Sequence, residues 1–143
     1  MSANISSINY CPVKSVSFQS INKCEIKKNI GIVGDRIFAF AKDLESDKVK
    51  LFEKSPEERK GKWNKVLTLK NSPSLNKYNF LFKNDKLTLI SKDKEILTID
   101  VNELSERQLL SNKIIELENS LKKPINLMKN EEFPFFDTSI SNK

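Results

Sequence analysis

The sequence predicts a mainly β, α+β chain in which short strands form a barrel or sandwich and one amphipathic helix follows them. Three observations carry this. Asp35 to Ala41 alternates, with Arg36, Phe38 and Phe40 on one face and Ile37, Ala39 and Ala41 on the other. Tyr78 to Asp100 holds three apolar runs separated by polar, turn-forming pairs. After Asn102 the period lengthens: Leu110, Ile114, Leu117 and Leu121 make one helical stripe in a stretch without proline or glycine.

Taken in order, Ile5 to Asn9 reads as a short strand, stopped by Pro12, a residue suited to a strand edge or turn. Val16 to Lys27 alternates imperfectly through Val16, Phe18, Cys24 and Ile26. Cys24 reads there as a small buried hydrophobe and not as a reactive thiol. Leu44 to Lys65 is broken by charges, Pro56 and Gly61, and reads as a solvated loop with one short strand near Val49 to Phe52. Trp63 is assigned to packing over the opening of the β-structure, its alternative use being to stack on a ligand ring. Strand order returns at Val66 to Leu69 and continues in Phe80–Phe82, Leu87–Ile90 and Ile96–Ile99, with turns at Asn84-Asp85 and Lys92-Asp93.

The helix is expected over Glu103 to Lys122. Asn102 serves as N-cap, Glu103 and Glu106 lie in the first turn, and Lys122-Lys123 close the last turn before Pro124. Ser105 with Gln108 offers a later capping box. Its apolar stripe is packing surface. The tail Phe133-Pro134-Phe135-Phe136-Asp137-Thr138 is too apolar for a free terminus and calls for burial.

Composition bounds the function. A chain of 143 residues, 38% hydrophobic and 31% charged, fits one folded domain with a real core. No apolar run approaches the ~20 residues of a membrane span, and the N-terminus lacks the features of a secretory signal. Two cysteines make no disulfide framework, so a reducing cytoplasm is the default setting. The net charge of +6 favours anionic partners, but bases and acids are interleaved, and no basic stripe with stacking aromatics points to nucleic acid. With no histidine, a Ser-His or Cys-His couple is excluded.

Two short stretches carry the chemistry: Tyr10-Cys11-Pro12-Val13-Lys14-Ser15 and Gly31-Ile32-Val33-Gly34-Asp35-Arg36. Arginine is scarce in this lysine-rich chain, and its planar fork of donors is something lysine cannot imitate. A Lys-Ser pair after a proline and an Arg after a glycine-bracketed turn could converge on one phosphate. Taken singly, Lys14-Ser15 reads as an exposed turn and Asp35-Arg36 as a structural pair.

The order Y-x-P-V-K-S, then G-x-x-G-D-R, resembles the N-terminal β-barrel domain of MOSC proteins, a group that includes the amidoxime-reducing components and the C-terminal part of molybdenum cofactor sulfurase. A third stretch, Leu67-Thr68-Leu69-Lys70-Asn71-Ser72-Pro73-Ser74-Leu75, is similar to the family's L-T-x-R-x-x-P-x-L, with Lys70 in place of arginine. The resemblance implies a small β-barrel domain over residues 1–128, including the helix at 103–122. Residues 129–143 are then a linker and the start of a truncated or absent MOSC core. It further implies a molybdenum-cofactor (molybdopterin) enzyme that reduces N-hydroxylated compounds with electrons from a ferredoxin-like redox partner. Lys14, Ser15 and Arg36 match the positions that hold the pterin phosphate and its surroundings. Gly31 and Gly34 let the intervening backbone turn, and Asp35 is structural, orienting the loop or neutralising nearby charge. The metal-ligating cysteine belongs to the core, and neither Cys11 nor Cys24 matches it. This chain alone is therefore expected to be inactive, with no catalytic or metal-ligating residue of its own. Sulfur transfer is an enzymatic variant. A non-catalytic basic β-barrel serving as a binding or interaction module is the alternative from another class.

Overall fold

A computed structural model describes residues 2–16 and 18–136. The fold is α+β. Among the described residues, nine short strands and three α-helices follow one another as β1 (Ile8–Tyr10), β2 (Gln19–Ile21), β3 (Ile26–Lys27), β4 (Gly31–Ile32), β5 (Phe38–Lys42), α1 (Ser46–Lys54), α2 (Pro56–Arg59), β6 (Tyr78–Lys83), β7 (Lys86–Ser91), β8 (Lys94–Asp100), α3 (Leu104–Leu117) and β9 (Ile125–Lys129). Short 3-10 turns at Trp63–Lys65 and Pro73–Lys77 lie between α2 and β6.

Strand β5 organises the molecule because it is buried on both faces. Phe38 and Phe40 enter a large core with Leu75, Phe80, Leu89, Leu110 and Ile114. Ala39 and Ala41 face a second, smaller core built from Val49, Phe52, Val66, Met128 and Phe135. Successive residues of a strand also send their backbone groups to opposite edges. Ile37 accepts from Asn130 on the edge that pairs antiparallel with β9, and Phe38 and Phe40 accept from Lys14 and Leu67 on the other. The chain ahead of β2 and the chain ahead of β6 are thus both fastened to one strand.

The expected closed barrel is not found among the described residues. The strands make three separate two-stranded sheets and one three-stranded meander, β6-β7-β8. The reason lies in residues 43–77. The sequence reading gave Val49 to Phe52 to a strand, but Val49 and Phe52 are buried at i, i+3 on one face of α1, with Leu51 exposed between them. Helices and 3-10 turns take the place of the strands that closure would need. Val66 to Leu69, also expected as a strand, makes only a bridge from Val66 to Ala41.

The meander follows expectation closely. Both of its two-residue loops, Asn84-Asp85 and Lys92-Asp93, have positive φ at each position, the geometry that matches the twist of a tight hairpin. Opposite Ile90 the register skips Ile96, which bulges outward. The helix is shorter than expected. It starts after Glu103 and not Asn102, and ends at Leu117, so Leu121 packs from beyond its end. Asn119 and Ser120 are weak helix formers, and Glu118 at the C-cap is drawn into a different contact.

That contact ties α3 to β6. Buried Glu118 accepts from the Tyr78 hydroxyl and pairs with Lys77 at 2.7 Å. Burial pushes the Glu118 carboxyl up, but Lys77 and the Tyr78 and Ser74 hydroxyls outweigh it and hold the group below its ordinary value. Burial, and next the Glu118 carboxylate, push the Tyr78 phenol well above its usual range. The unfolded chain binds the Glu118 proton at a higher pH than the folded chain does. The stabilisation is therefore full above the ordinary glutamate value of about 4.3 and is lost as pH falls through the lower folded value. Glu118→Gln should flatten this acid-side loss in denaturant titrations at stepped pH. Tyr78→Phe should cost about 1–2 kcal/mol at neutral pH, since one buried acceptor loses its donor. An unchanged acid slope in Glu118→Gln would show that the carboxylate contributes nothing.

Candidate functional site

The two motif stretches meet at a joint beside the start of β5. Arg36 donates its amide to the Cys11 carbonyl at 2.6 Å, Phe38 donates to Pro12 at 3.0 Å, and Lys14 donates to Phe38 at 2.9 Å. Pro12, lacking an N–H, supplies only an acceptor here, which suits a residue at a strand edge. Asp35 closes the joint: Oδ1 accepts the Cys11 amide at 2.8 Å and Oδ2 pairs with the Arg36 guanidinium. The structural role read for Asp35 matches this geometry.

Backbone conformation at the joint is unusual. Ser15 and Arg36 both have left-handed φ, +64° and +52°, which non-glycine residues seldom adopt. Such residues cost energy that the surrounding contacts must offset, and they gather where a side chain has to be aimed. Arg36 therefore sits in the turn before β5 and not inside a strand, contrary to the alternation read from Asp35 onward. Gly34, at φ +91°, is needed twice. A Cβ there would lie 3.1 Å from the Tyr10 ring, in a conformation side chains avoid.

The three expected phosphate contacts are not presented alike. Ser15 is half-buried, and the Arg36 side chain is 33% exposed. Lys14 is buried: its Nζ donates to the Phe135 carbonyl at 3.2 Å and lies 4.7 Å from the centre of the Trp63 ring. Trp63, assigned to packing, borders the second core and faces this ammonium. The third motif stretch serves the core. Leu67 and Leu75 are buried, and Lys70 is exposed on a turn closed by Thr68 and Asn71.

Sequence reading missed Arg59. This buried guanidinium donates to the Phe52, Glu53 and Phe133 carbonyls at 2.6–2.9 Å and lies 4.0 Å over the Phe135 ring. Burial lowers its pKa to about 10, against the pull of the Glu53 charge. The scarcity of arginine was the available signal: the fork satisfies the last carbonyls of α1 and the tail at once, which lysine could not do. Of the tail, Phe135 is fully buried, Phe136 half-buried and Phe133 half-exposed. Asp137 and Thr138 lie outside the described residues. Cys11 is buried, its thiol aimed at the Val13 and Val16 carbonyls, and burial pushes its pKa up. No group of three or more His, Cys, Asp or Glu suited to a metal ion occurs among the described residues.

Two outcomes test the joint. Gly34→Ala should cost at least about 1 kcal/mol in denaturant unfolding, because strain and the Tyr10 contact act together. A maleimide should modify half-buried Cys24 before buried Cys11, as read by mass spectrometry of digested protein. Equal rates would contradict the packing of the Cys11 loop. Compared with protein-family models, curated proteins and solved structures, the chain matches none of them.

Proposed function

We propose that this chain is the phosphate-holding part of a molybdenum-cofactor-dependent oxidoreductase of the MOSC kind, acting on N-hydroxylated compounds. The observation that supports it most is the joint itself. The two stretches that carry the resemblance are remote in sequence, yet they are clasped by backbone hydrogen bonds, so Lys14, Ser15 and Arg36 stand on adjoining turns. A phosphate dianion is held best by convergent, partly charged donors. Arg36 would give the charged fork and Ser15 a hydroxyl, and Lys14 would add positive charge from beneath.

The fit is partial. Lys14 is buried with its ammonium on the Phe135 carbonyl, so its direct contact with a phosphate requires the chain that covers it to move aside. When bound, the cofactor would supply the two-electron chemistry; the residues of this chain would anchor and orient one end of it. A MOSC core would supply the metal's thiolate ligand, since Cys11 is buried with a raised pKa and Cys24 lies outside the joint's contacts. A redox partner in the cytoplasm would deliver electrons. No helix among the described residues is long and apolar enough to cross a membrane.

One observation favours the non-catalytic module instead. The inward turn of Lys14 is equally suited to a structural pin between the motif loop and the tail. The readings separate on the product of the intact gene, purified and assayed for molybdenum and pterin. The enzyme reading expects both to be retained. Arg36→Lys should weaken retention by about 1.5 kcal/mol, roughly tenfold, because a fork is replaced by a point charge. Absence of pterin and molybdenum, or retention indifferent to Arg36, would leave the module.

A further inference from the structure

We propose that the segment Phe133–Phe136 is an internal occupant of the cationic joint, a strap that a phosphate-bearing ligand displaces on binding. The inference rests on the anion-holding reading of Lys14, Ser15 and Arg36.

The strap engages the cations around the joint. The Phe135 carbonyl accepts from Lys14 Nζ at 3.2 Å, and the Phe135 amide donates to the Arg36 carbonyl at 2.8 Å. The Phe136 ring lies 5.5 Å from the Arg36 guanidinium, and the Phe135 ring 4.0 Å from that of Arg59. Arg59 Nη1 further donates to the Phe133 carbonyl at 2.8 Å and to Pro134 at 3.3 Å. Carbonyl oxygens and aromatic faces are what a neutral segment can offer a positive site. They add to the Asp35 carboxylate that already pairs with Arg36.

A phosphate oxygen is the stronger acceptor for ammonium and guanidinium, so a dianion at Ser15 and Arg36 competes with the carbonyl that holds Lys14. The strap is also graded. Phe135 is buried in the second core, while Phe136 is half-buried over Arg36 and Phe133 half-exposed. Phe136 leaves first and uncovers Arg36; release of Lys14 by Phe135 is the deeper step. Arg59 keeps its bonds to the Phe52 and Glu53 carbonyls of α1 when the strap lifts, so it acts as the fixed anchor to which the segment returns.

The probe is inorganic phosphate added to the full chain. Binding is followed by the fluorescence of Trp63, the sole tryptophan, which faces Lys14. Hydrogen exchange at the Phe135 amide reports the strap directly and needs no variant. Phosphate should quicken that exchange, and Phe136→Ala should bind phosphate roughly two- to fivefold more tightly, the value of one partly exposed cation–π contact. Arg36→Gln should lose binding. Phosphate binding with unaltered Phe135 exchange and unaltered affinity in Phe136→Ala would overturn the strap and leave the anion site standing. No phosphate binding by either protein, or binding that survives Arg36→Gln, would overturn the anion site and the strap with it.

Discussion

The structure depends on the backbone clasp between residues 11–14 and 36–38. Three amide-to-carbonyl bonds and one carboxylate, Asp35, hold it, and each is made at or beside the start of β5. Since β5 is buried on both faces, its backbone groups must all find partners within the protein. The neighbouring loops supply them: Pro12 and Lys14 on one edge, Leu67 further along it, and β9 on the other. The left-handed turns at Ser15 and Arg36 follow from this demand, because the chain must reverse on each side of the clasp without losing those bonds. The backbone positions of Lys14 and Arg36 are thus set by how β5 is satisfied.

Cations in this protein are placed with unusual economy. Most of the described lysines are solvent-exposed, but Lys14 and Arg59 are buried and are served by main-chain carbonyls and aromatic faces around the second core. A buried cation is tolerated only when its donors are met, since the alternative is a large desolvation cost. The tail meets many of them. Phe135 therefore links two things that look unrelated in sequence, the packing of the second core and the placement of the Lys14 ammonium.

Legibility in the sequence followed the range of the interactions. The β6-β7-β8 meander was readable almost to the residue, because alternation and turn residues are local properties. That Phe38 and Phe40 share one face and Ala39 and Ala41 the other was readable for the same reason, but that each face meets its own core was not. Strand β9 was missed although Ile125 and Leu127 alternate, since its existence depends on pairing with a strand more than eighty positions earlier. Helix α1 was misread because Val49 and Leu51 alternate as in a short strand, whereas the residues that are buried, Val49 and Phe52, share one helical face. At the joint, Lys14, Ser15 and Arg36 could be nominated from residue type and spacing. That Lys14 points inward could not, because its contacts include the carbonyl of Phe135, which carries no signal in the side-chain sequence.

The central claim is that the two motif stretches act as one binding site and not as two neighbouring turns. The most direct measurement is a double-mutant cycle of Ser15→Ala and Arg36→Gln on the affinity for a phosphate monoester. The account predicts a coupling energy of about 0.5 kcal/mol or more, since both donors would address the same group. Strict additivity of the two losses, or no loss in either single variant, would contradict it.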